Sequence, residues 1–372
     1  MIAAVARRDG TDVAAVRLFL ATRVALGLAA WIVVTLFDDH LSPARGIWDS
    51  PRLHDLGDLV DVWARWDSDW FLRVAEHGYS WPSSTPAFFP LYPGVVAGLG
   101  RGLGGHYVLA GVLTSLAAAT VAAVLLARLT RDHVDSDAAL RAVLYLALVP
   151  TSLFLGAVYS ESLFLALALA TFVLAERGRL GWAEVAAGLA MLTRAQGIAL
   201  LPSLLLFAWP RGSRARVESV VLPLAIFASF PLLLWAEIGH PLAFLDAQKT
   251  VWQRHLSPGG PLGGLAQAVG NRDVVEVVFA VVMLALAGVA WRRFGPCYGV
   301  YALGALLLPM SFPSPRLGGL YSFPRLAIVA FPCFMALAAL TTSRRATIAA
   351  SAVLTAGLAV FVVRWALWQW VA

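Results

Sequence analysis

The chain has 372 residues, of which 60% are hydrophobic and only 13% carry a charge. Soluble domains are about 25% charged and about 45–50% apolar, so this composition excludes an ordinary soluble protein and indicates an integral membrane protein. The net charge is +6, but the arginines lie in short groups between apolar runs. This pattern favours the sorting of loops across a membrane over nucleic-acid binding.

The first apolar run covers residues 18–37 and follows Arg7, Arg8 and Arg17. Its length of about 20 residues exceeds the apolar core of a signal peptide, and more apolar runs follow. We therefore expect an uncleaved membrane span here, with a cleaved leader as the disfavoured alternative.

A polar interval follows at residues 38–86, with nine acidic residues, beginning at Asp38 and Asp39, against four arginines. It is unsuited to crossing a membrane and long for a simple connection. The next segment, 87–105, is apolar but interrupted by Pro90, Pro93 and glycines, which favours an interfacial or re-entrant piece. We predict one integral membrane domain over residues 1–372, with a large extracytoplasmic loop over 38–105 that contains interfacial or re-entrant helices.

The rest of the chain consists of apolar runs separated by short polar segments. Several runs have only about 14 residues, which is short for a straight crossing, so some must be tilted, broken or re-entrant. We predict an all-α polytopic membrane protein with roughly eight to eleven membrane segments. The runs lie at 107–127, 139–158, 162–175, 181–194, 197–210, 218–236, 274–291, 297–311, 324–340 and 346–369.

Threading these runs with the first residues in the cytoplasm places the arginine-rich loops inside, in agreement with the positive-inside rule. The same threading places five polar stretches on the outer side. Ionisable residues at membrane depth are costly and are therefore functional candidates. The stretches are RWDSDW (65–70), YSES (159–162), TRAQG (193–197), QKTVWQRH (248–255) and PRLGGLYSFPR (315–325).

Acidic, aromatic and proline residues crowd together at residues 61–93. If this stretch is helical, Trp63, Asp67 and Trp70 share one face, so that Asp67 meets two indoles. Loss of water around its carboxylate would make Asp67 a better proton acceptor for a hydroxyl, and we predict that it is a catalytic base. Asp69 has Arg65 four residues before it, which is typical of a solvated pair on an interfacial helix.

Glu161 interrupts the apolar stretch 153–174 among Tyr159, Ser160 and Ser162. A buried acid satisfied by neighbouring hydroxyls and an acid that binds substrate are equally open interpretations. Arg194 lies between two apolar runs and before Gly197, which favours the tip of a helical hairpin. Its guanidinium either faces a cavity or pairs with an acid such as Glu161 or Asp67.

Four cations, Lys249, Arg254, Arg316 and Arg325, lie in predicted outer segments, and residues 311–325 contain no acid. Outer arginines oppose the topology rule, so a bound phosphate explains them, with an anionic lipid headgroup as the alternative. Neither the histidines nor the two cysteines show metal-ligand spacing, so we expect no metal and no cofactor. The only lysine is Lys249, a bias that indicates a bacterium with a GC-rich genome.

The motifs RWDSDWFLRVAEHGY, AFFPLYP, SLFLGAVYSESLF and TRAQG occur in this order, before an arginine- and proline-containing segment that ends at Arg325. This set resembles the PIG-V-like mannosyltransferases, which add the second mannose in GPI-anchor assembly and belong to the GT-C membrane glycosyltransferases. The chain departs from the family pattern at Ala195 and Gln196, where a Ser-Asn pair is common, and at Val149, where Asn often precedes the proline. These departures concern the acceptor, since a bacterium builds no GPI anchor.

The resemblance implies a GT-C-like helical bundle whose large first outer loop holds the essential acid, at Asp67. It also implies a polyprenyl-phosphate mannose donor, a lipid or glycan acceptor, inverting transfer, and a location in the bacterial plasma membrane with the site outside. Two alternatives are transfer of another polyprenyl-phosphate sugar, such as glucose or arabinose, and a transporter or flippase for lipid-linked sugars. The predicted substrate-binding residues are Trp66, Asp69, Tyr79, Tyr92, Glu161, Arg194, Gln248, Lys249, Arg254, Arg316 and Arg325.

Overall fold

The computed structural model describes residues 2–37 and 44–371, with side chains described from residue 10 onward. Asp38 and Asp39, the first acids of the predicted outer loop, lie outside the described residues. The same holds for the side chains of Arg7 and Arg8.

Every regular element in the described part of the chain is helical, as predicted. The nineteen α-helices there are α1 (Ile2–Phe37), α2 (Arg45–Trp48), α3 (Asp58–Asp61), α4 (Ser68–His77), α5 (Leu91–Gly102), α6 (Tyr107–His133), α7 (Ser136–Leu148), α8 (Glu161–Glu176), α9 (Leu180–Met191), α10 (Leu200–Ala208), α11 (Ser213–Phe227), α12 (Ser229–Ile238), α13 (Ala243–Thr250), α14 (Gly260–Asn271), α15 (Val274–Phe294), α16 (Pro296–Met310), α17 (Phe323–Ala327), α18 (Phe331–Leu340) and α19 (Arg344–Ala366). Short 3-10 helices lie at Pro51–Leu53, Thr85–Ala87, Pro150–Leu155, Ala195–Ala199 and Trp209–Arg211.

Five helical segments in the described part of the chain are long and apolar enough to cross a membrane. They are Gly10–Phe37, Tyr107–His133, Ser213–Ile238, Val274–Phe294 and Arg344–Ala366. Three shorter apolar helices, α9, α16 and α18, raise the number of apolar segments to 5 + 3 = 8. The protein is therefore an all-α, multi-pass membrane protein, and the predicted number of eight to eleven membrane segments stays a prediction beyond these five full-length helices.

The segment predicted to be interfacial or re-entrant forms the 3-10 helix Thr85–Ala87 and then α5. Helix α5 has 12 residues, which at 1.5 Å per residue gives about 18 Å, too short to cross a bilayer of about 30 Å. The predicted run 139–158 is also divided, because Pro150 has no amide hydrogen and α7 ends at Leu148.

Contacts divide the chain into two compact units, each made of separate stretches of sequence. Unit 1 comprises residues 1–72, 96–166 and 334–371, and unit 2 comprises 73–95, 167–333 and 372. The prediction that residues 1–372 form a single domain stays a prediction, as does the outer location of residues 38–105.

In unit 1, helices α1, α6, α7 and α19 pack on one another. The buried side chain of Arg23 in α1 satisfies the backbone where α7 is broken. Its two terminal nitrogens donate to the carbonyl oxygens of Ala147 and Ser152, each over 2.6 Å. A guanidinium thus satisfies two carbonyl oxygens at the break between α7 and the following 3-10 helix.

In unit 2, α9, α10, α11 and α16 pack together, and α16 also packs on α14 and α15. The backbones of α14 and the 314–320 loop meet closely, because a Cβ at Gly319 would lie 2.4 Å from the carbonyl oxygen of Gly264. A Cβ at Gly197 would lie 2.6 Å from the Cα of Met191. Only glycine permits these approaches, which fix the TRAQG turn and the loop before α17.

Candidate active site

Asp67 immediately precedes helix α4, and the structure corrects the local prediction there. Trp63, Asp67 and Trp70 were expected on one helix face, but α3 ends at Asp61 and α4 begins only at Ser68. Asp67 instead lies at the amino end of α4, where its carbonyl oxygen accepts from the Trp70 amide over 3.1 Å. The amino end of a helix favours a negative charge, so this position suits a carboxylate.

Trp66 is the residue that breaks the expected helix. Its φ is 55°, in the left-handed region that bulky residues rarely adopt. The residue is 6% exposed, and its ring packs on Trp48, Trp368 and Trp370, with centroid distances of 5.7, 6.0 and 5.2 Å. This aromatic packing holds a backbone conformation that is costly by itself.

Tyr159, in the YSES motif, holds the backbone on both sides of Trp66. Its hydroxyl donates to the carbonyl oxygen of Arg65 and accepts from the amide of Asp67, both over 3.1 Å. The Val158 amide adds a bond of 3.0 Å to the carbonyl oxygen of Trp63. Two predicted polar stretches, RWDSDW and YSES, therefore meet within unit 1.

The carboxylate of Asp61 organises the start of this loop. It is buried and accepts from the amides of Asp55, Leu56 and Gly57 at 2.9–3.1 Å. A carboxylate with three such bonds is well satisfied, so Asp61 shapes the backbone of the loop. The sequence shows no periodicity that reveals this role.

Arg65 follows Asp61 by four residues and is 96% buried. Its Nη1 donates to the carbonyl oxygen of Asp61 over 3.1 Å. Loss of water lowers the pKa of Arg65 to about 10, opposed by the charges of Asp49, Asp58 and Asp61. The side chain is still a cation at neutral pH, and it is part of the loop interior.

Asp69 has a different ionic partner from the one expected. The sequence favoured Arg65 at i, i+4, but the structure shows a salt bridge of 3.1 Å from Asp69 to Arg52. The expected pair needs a helix that includes Arg65, and α4 begins after that residue. Arg52 was not singled out in the sequence, because its loop has no regular spacing to Asp69.

Glu161 is fully buried at the first residue of α8. One of the hydroxyls considered as a partner for this acid, that of Ser162, donates to the carbonyl oxygen of Leu155 over 2.9 Å. Like Asp67, Glu161 stands at the amino end of a helix, where a negative charge is favoured. Its assignment to substrate stays a prediction.

In unit 2, Gln196 joins the TRAQG stretch to α16 and to the residue that follows PRLGGLYSFPR. The Nε2 of this buried side chain donates to the carbonyl oxygens of Ala305 and Leu326, over 2.9 and 3.0 Å. Both partners only accept hydrogen bonds, which identifies the nitrogen end of the amide. Arg325, the neighbour of Leu326, is 92% buried in α17.

Arg254 lies against the same segment, since its Nη2 donates to the carbonyl oxygen of Tyr321 over 3.3 Å. The carbonyl oxygen of Gln248, a half-buried residue, accepts from the Arg254 amide over 2.9 Å. Lys249 and Arg316 are exposed. The four predicted outer cations therefore form two groups. Arg254 contacts the segment 321–325 and Arg325 belongs to it, whereas Lys249 and Arg316 are solvated.

The remaining predicted site residues pack in the interior of unit 2 or near its TRAQG turn. Tyr79 donates its hydroxyl to the Phe88 carbonyl oxygen over 2.8 Å, and its amide donates to Glu237 over 3.0 Å. Burial raises the pKa of Tyr79 well above its ordinary value. Tyr92 is fully buried, and Arg194 is half-buried between α9 and the following 3-10 helix.

The AFFPLYP segment also borders an open apolar groove of about 450 Å³ in unit 2. Its lining residues are Pro90, Leu91, Gly94, Val95, Leu192, Ser229 and Leu233. The amide of Leu91 donates to the Leu192 carbonyl oxygen over 2.9 Å, so AFFPLYP and the end of α9 form one wall. Among the described residues, no three His, Cys, Asp or Glu side chains group as metal ligands.

Parts of this chain are similar to known proteins. The family model for mannosyltransferase (PIG-V) matches residues 52–208, which contain the RWDSDW, AFFPLYP, YSES and TRAQG motifs. A similar solved structure is ArnT from Cupriavidus metallidurans bound to undecaprenyl phosphate, with 18% identity and a TM-score of 0.54. The likeness covers 88% of this chain but 61% of that one. No curated protein matches this chain.

The likeness to ArnT confirms the fold predicted from the sequence, because the chain forms an all-α bundle similar to that of ArnT. The resemblance predicted from the motifs is confirmed over residues 52–208, where the chain is similar to the PIG-V mannosyltransferases. The likeness to ArnT concerns the fold, since this chain spans less than two thirds of the length of ArnT.

Proposed function

We propose that the protein transfers mannose from a polyprenyl-phosphate mannose to a hydroxyl of a lipid or glycan acceptor. The site would lie on the extracytoplasmic face of a bacterial plasma membrane. The family match over residues 52–208 supports the sugar. The ArnT structure, which contains undecaprenyl phosphate, supports the class of lipid carrier.

The proposed reaction is an inverting displacement. Asp67 takes the proton of the acceptor hydroxyl while the hydroxyl oxygen forms a bond to the anomeric carbon. The bond from that carbon to the phosphate oxygen breaks, and the electron pair leaves with the polyprenyl phosphate. A donor with mannose β-linked to phosphate would give an α-linked product.

One observation carries the assignment of the base: Asp67 is half-exposed between buried neighbours whose backbone is held on both sides by Tyr159. A general base must be held within hydrogen-bond reach of the proton that it takes. Asp61 and Asp69 are both buried, at 4% and 7% exposure, so an acceptor has less access to their carboxylates. Of these three acids, Asp67 is the one whose placement best suits catalysis.

The departing phosphate needs positive charge, and Arg254 and Arg325 are the best candidates to supply it. Both are in unit 2, where Arg254 donates to the carbonyl oxygen of Tyr321 and Arg325 lies in α17. A guanidinium matches the geometry of phosphate oxygens. Lys249 and Arg316, which are exposed, would attract the headgroup over a longer range.

The apolar groove beside AFFPLYP supports a lipid carrier as the donor. A long isoprenoid must stay in apolar surroundings while its headgroup reaches polar residues. The groove has mostly apolar walls and is open. We assign the first isoprene units of the donor to it.

The test is a transfer assay with radiolabelled polyprenyl-phosphate mannose and membrane extract as the source of acceptor. The Asp67→Asn variant should transfer about 10²–10⁴-fold more slowly than the wild type, because the amide cannot accept the proton. Asp132→Asn is the matched control, since Asp132 is a solvent-exposed acid in the same unit. Retained transfer by Asp67→Asn would remove Asp67 as the base.

Parallel assays with glucose and arabinose donors decide the sugar. Transfer from one of these alone would overturn the mannose assignment but retain the reaction type. If the protein moved lipid-linked sugar across a vesicle membrane without transfer, the flippase alternative would replace the proposal.

A further inference from the structure

The end of the last helix and the residues after it, 365–370, lie against the loop that carries Asp67. Trp365 is completely buried, and its Nε1 donates to the carbonyl oxygen of Val62 over 2.7 Å. This bond joins residues that are 303 positions apart in the sequence. It satisfies a backbone acceptor in the irregular stretch between α3 and α4.

Trp368 contacts the same loop through a cation–π interaction with Arg65. Its ring lies under the guanidinium of Arg65, with 4.4 Å between the guanidinium carbon and the ring centroid. Both side chains are buried, at 4% exposure for Arg65 and 1% for Trp368. A cation–π contact is stronger when water is excluded, so Trp368 stabilises the buried charge two residues before Asp67.

Trp66 completes this set of contacts. Its left-handed backbone directs the chain into α4, and its ring packs on Trp368 and edge-on against Trp370. A strained conformation persists only where surrounding contacts hold it. Residues 365–370 provide two of those contacts.

We propose that Trp365 and Trp368 are positioning residues that hold the carboxylate of Asp67 in place for catalysis. They act through Val62 and Arg65, respectively, and do not touch the substrate. This proposal rests on the proposed function, in which Asp67 is the base.

The first experiment measures hydrogen exchange of the purified protein in detergent and does not depend on activity. Trp365→Phe keeps a ring but loses the donor to Val62, and Trp368→Leu removes the aromatic face beside Arg65. In each variant, the amides of residues 62–67 should exchange about tenfold faster, because a buried partner is left unsatisfied. Exchange in α6 should not change.

Two controls separate positioning from general packing. Trp368→Phe keeps an aromatic face for Arg65 and should retain slow exchange at residues 62–67. Trp182→Phe alters an exposed indole in unit 2 and should change nothing. Unchanged exchange at 62–67 in both Trp365→Phe and Trp368→Leu, or uniform acceleration through α6, would overturn the proposal.

The second experiment measures kinetics with polyprenyl-phosphate mannose. Both disruptive variants should lower kcat by about 10²-fold, while KM for the donor changes less than about twofold, since they misplace the base and leave donor contacts intact. Trp368→Phe should restore kcat. A rise in KM at unchanged kcat would contradict a positioning role.

The two proposals fail in different ways. If the wild type transfers no mannose, the proposed function fails, and hydrogen exchange still shows whether residues 365–370 hold the loop. If transfer depends on Asp67 but exchange and kcat are insensitive to Trp365 and Trp368, only the positioning proposal fails.

Discussion

The loop around Asp67 in unit 1 and the segment 321–326 in unit 2 are both irregular backbone, yet they are organised differently. The acidic loop, residues 62–67, is held on several sides by the Tyr159 hydroxyl, the Val158 amide and the Trp365 indole. The basic segment is joined to its neighbours by Gln196 and Arg254, and two of the four predicted cations are solvated.

This difference in how the backbone is held agrees with the chemical role proposed for each region. A base must stand within hydrogen-bond distance of one proton, so a small displacement is costly. A cation that stabilises phosphate acts through an electrostatic energy that falls only as the inverse of distance. Precise placement is therefore needed at Asp67, whereas the cations tolerate more freedom.

After Asp67, the substitution with the largest expected effect removes Arg325, the buried cation in unit 2. We expect Arg325→Gln to lower kcat by about 10²–10³-fold, because charge on the leaving phosphate loses its stabilisation. Arg325→Lys should recover only part of the rate, since an ammonium lacks the guanidinium fork. Steady-state transfer assays measure this. Arg214→Gln, in an exposed pair with Glu218, is the control, and a normal rate for Arg325→Gln would contradict the assignment.

Tyr159→Phe tests the placement of the acidic loop. The ring stays, but the bonds to the Arg65 carbonyl oxygen and the Asp67 amide are lost, so kcat should fall about tenfold at nearly constant KM. Tyr145→Phe is the matched control in unit 1, because its hydroxyl bonds to Thr341 away from the loop. An equal loss in both variants would indicate general destabilisation.

Gln196→Leu tests the basic segment. The variant leaves the carbonyl oxygens of Ala305 and Leu326 without their donor, and we expect a loss of about 1–3 kcal/mol in unfolding free energy. Thermal unfolding in detergent measures this as a lower Tm. Gln267→Leu, which breaks one bond of a half-exposed side chain to Ser314, should have a smaller effect. Equal Tm values for the two variants would contradict a stabilising role for the buried hydrogen bonds of Gln196.

The solvated cations should give the smallest effect. Lys249→Gln and Arg316→Gln should each raise the KM for donor by about twofold at low ionic strength, since exposed charges contribute little and are screened. A series of KM measurements at increasing salt should show the difference disappear. An effect that persists at high salt would mean that these residues touch the headgroup directly.

The candidate site residues were singled out from residue types and spacing, and their roles stay predictions. Asp67 stood out because acids and tryptophans crowd together in an otherwise apolar chain, and Glu161 because it interrupts an apolar run. The helical interpretation was wrong for residues 63–67, since side-chain spacing alone does not reveal the left-handed backbone at Trp66. The pairing of Asp69 with Arg65 was wrong for the same reason.

The composition and the apolar runs by themselves determined an all-helical membrane protein and located its polar stretches. They do so because helix formation and membrane insertion depend on residues close in sequence. Only the tertiary structure decided that Tyr159, 92 residues from Asp67, and Trp365, 303 residues from Val62, hold the acidic loop. A hydrogen bond between a side chain and distant backbone leaves no period in the sequence, so packing alone decides its partners.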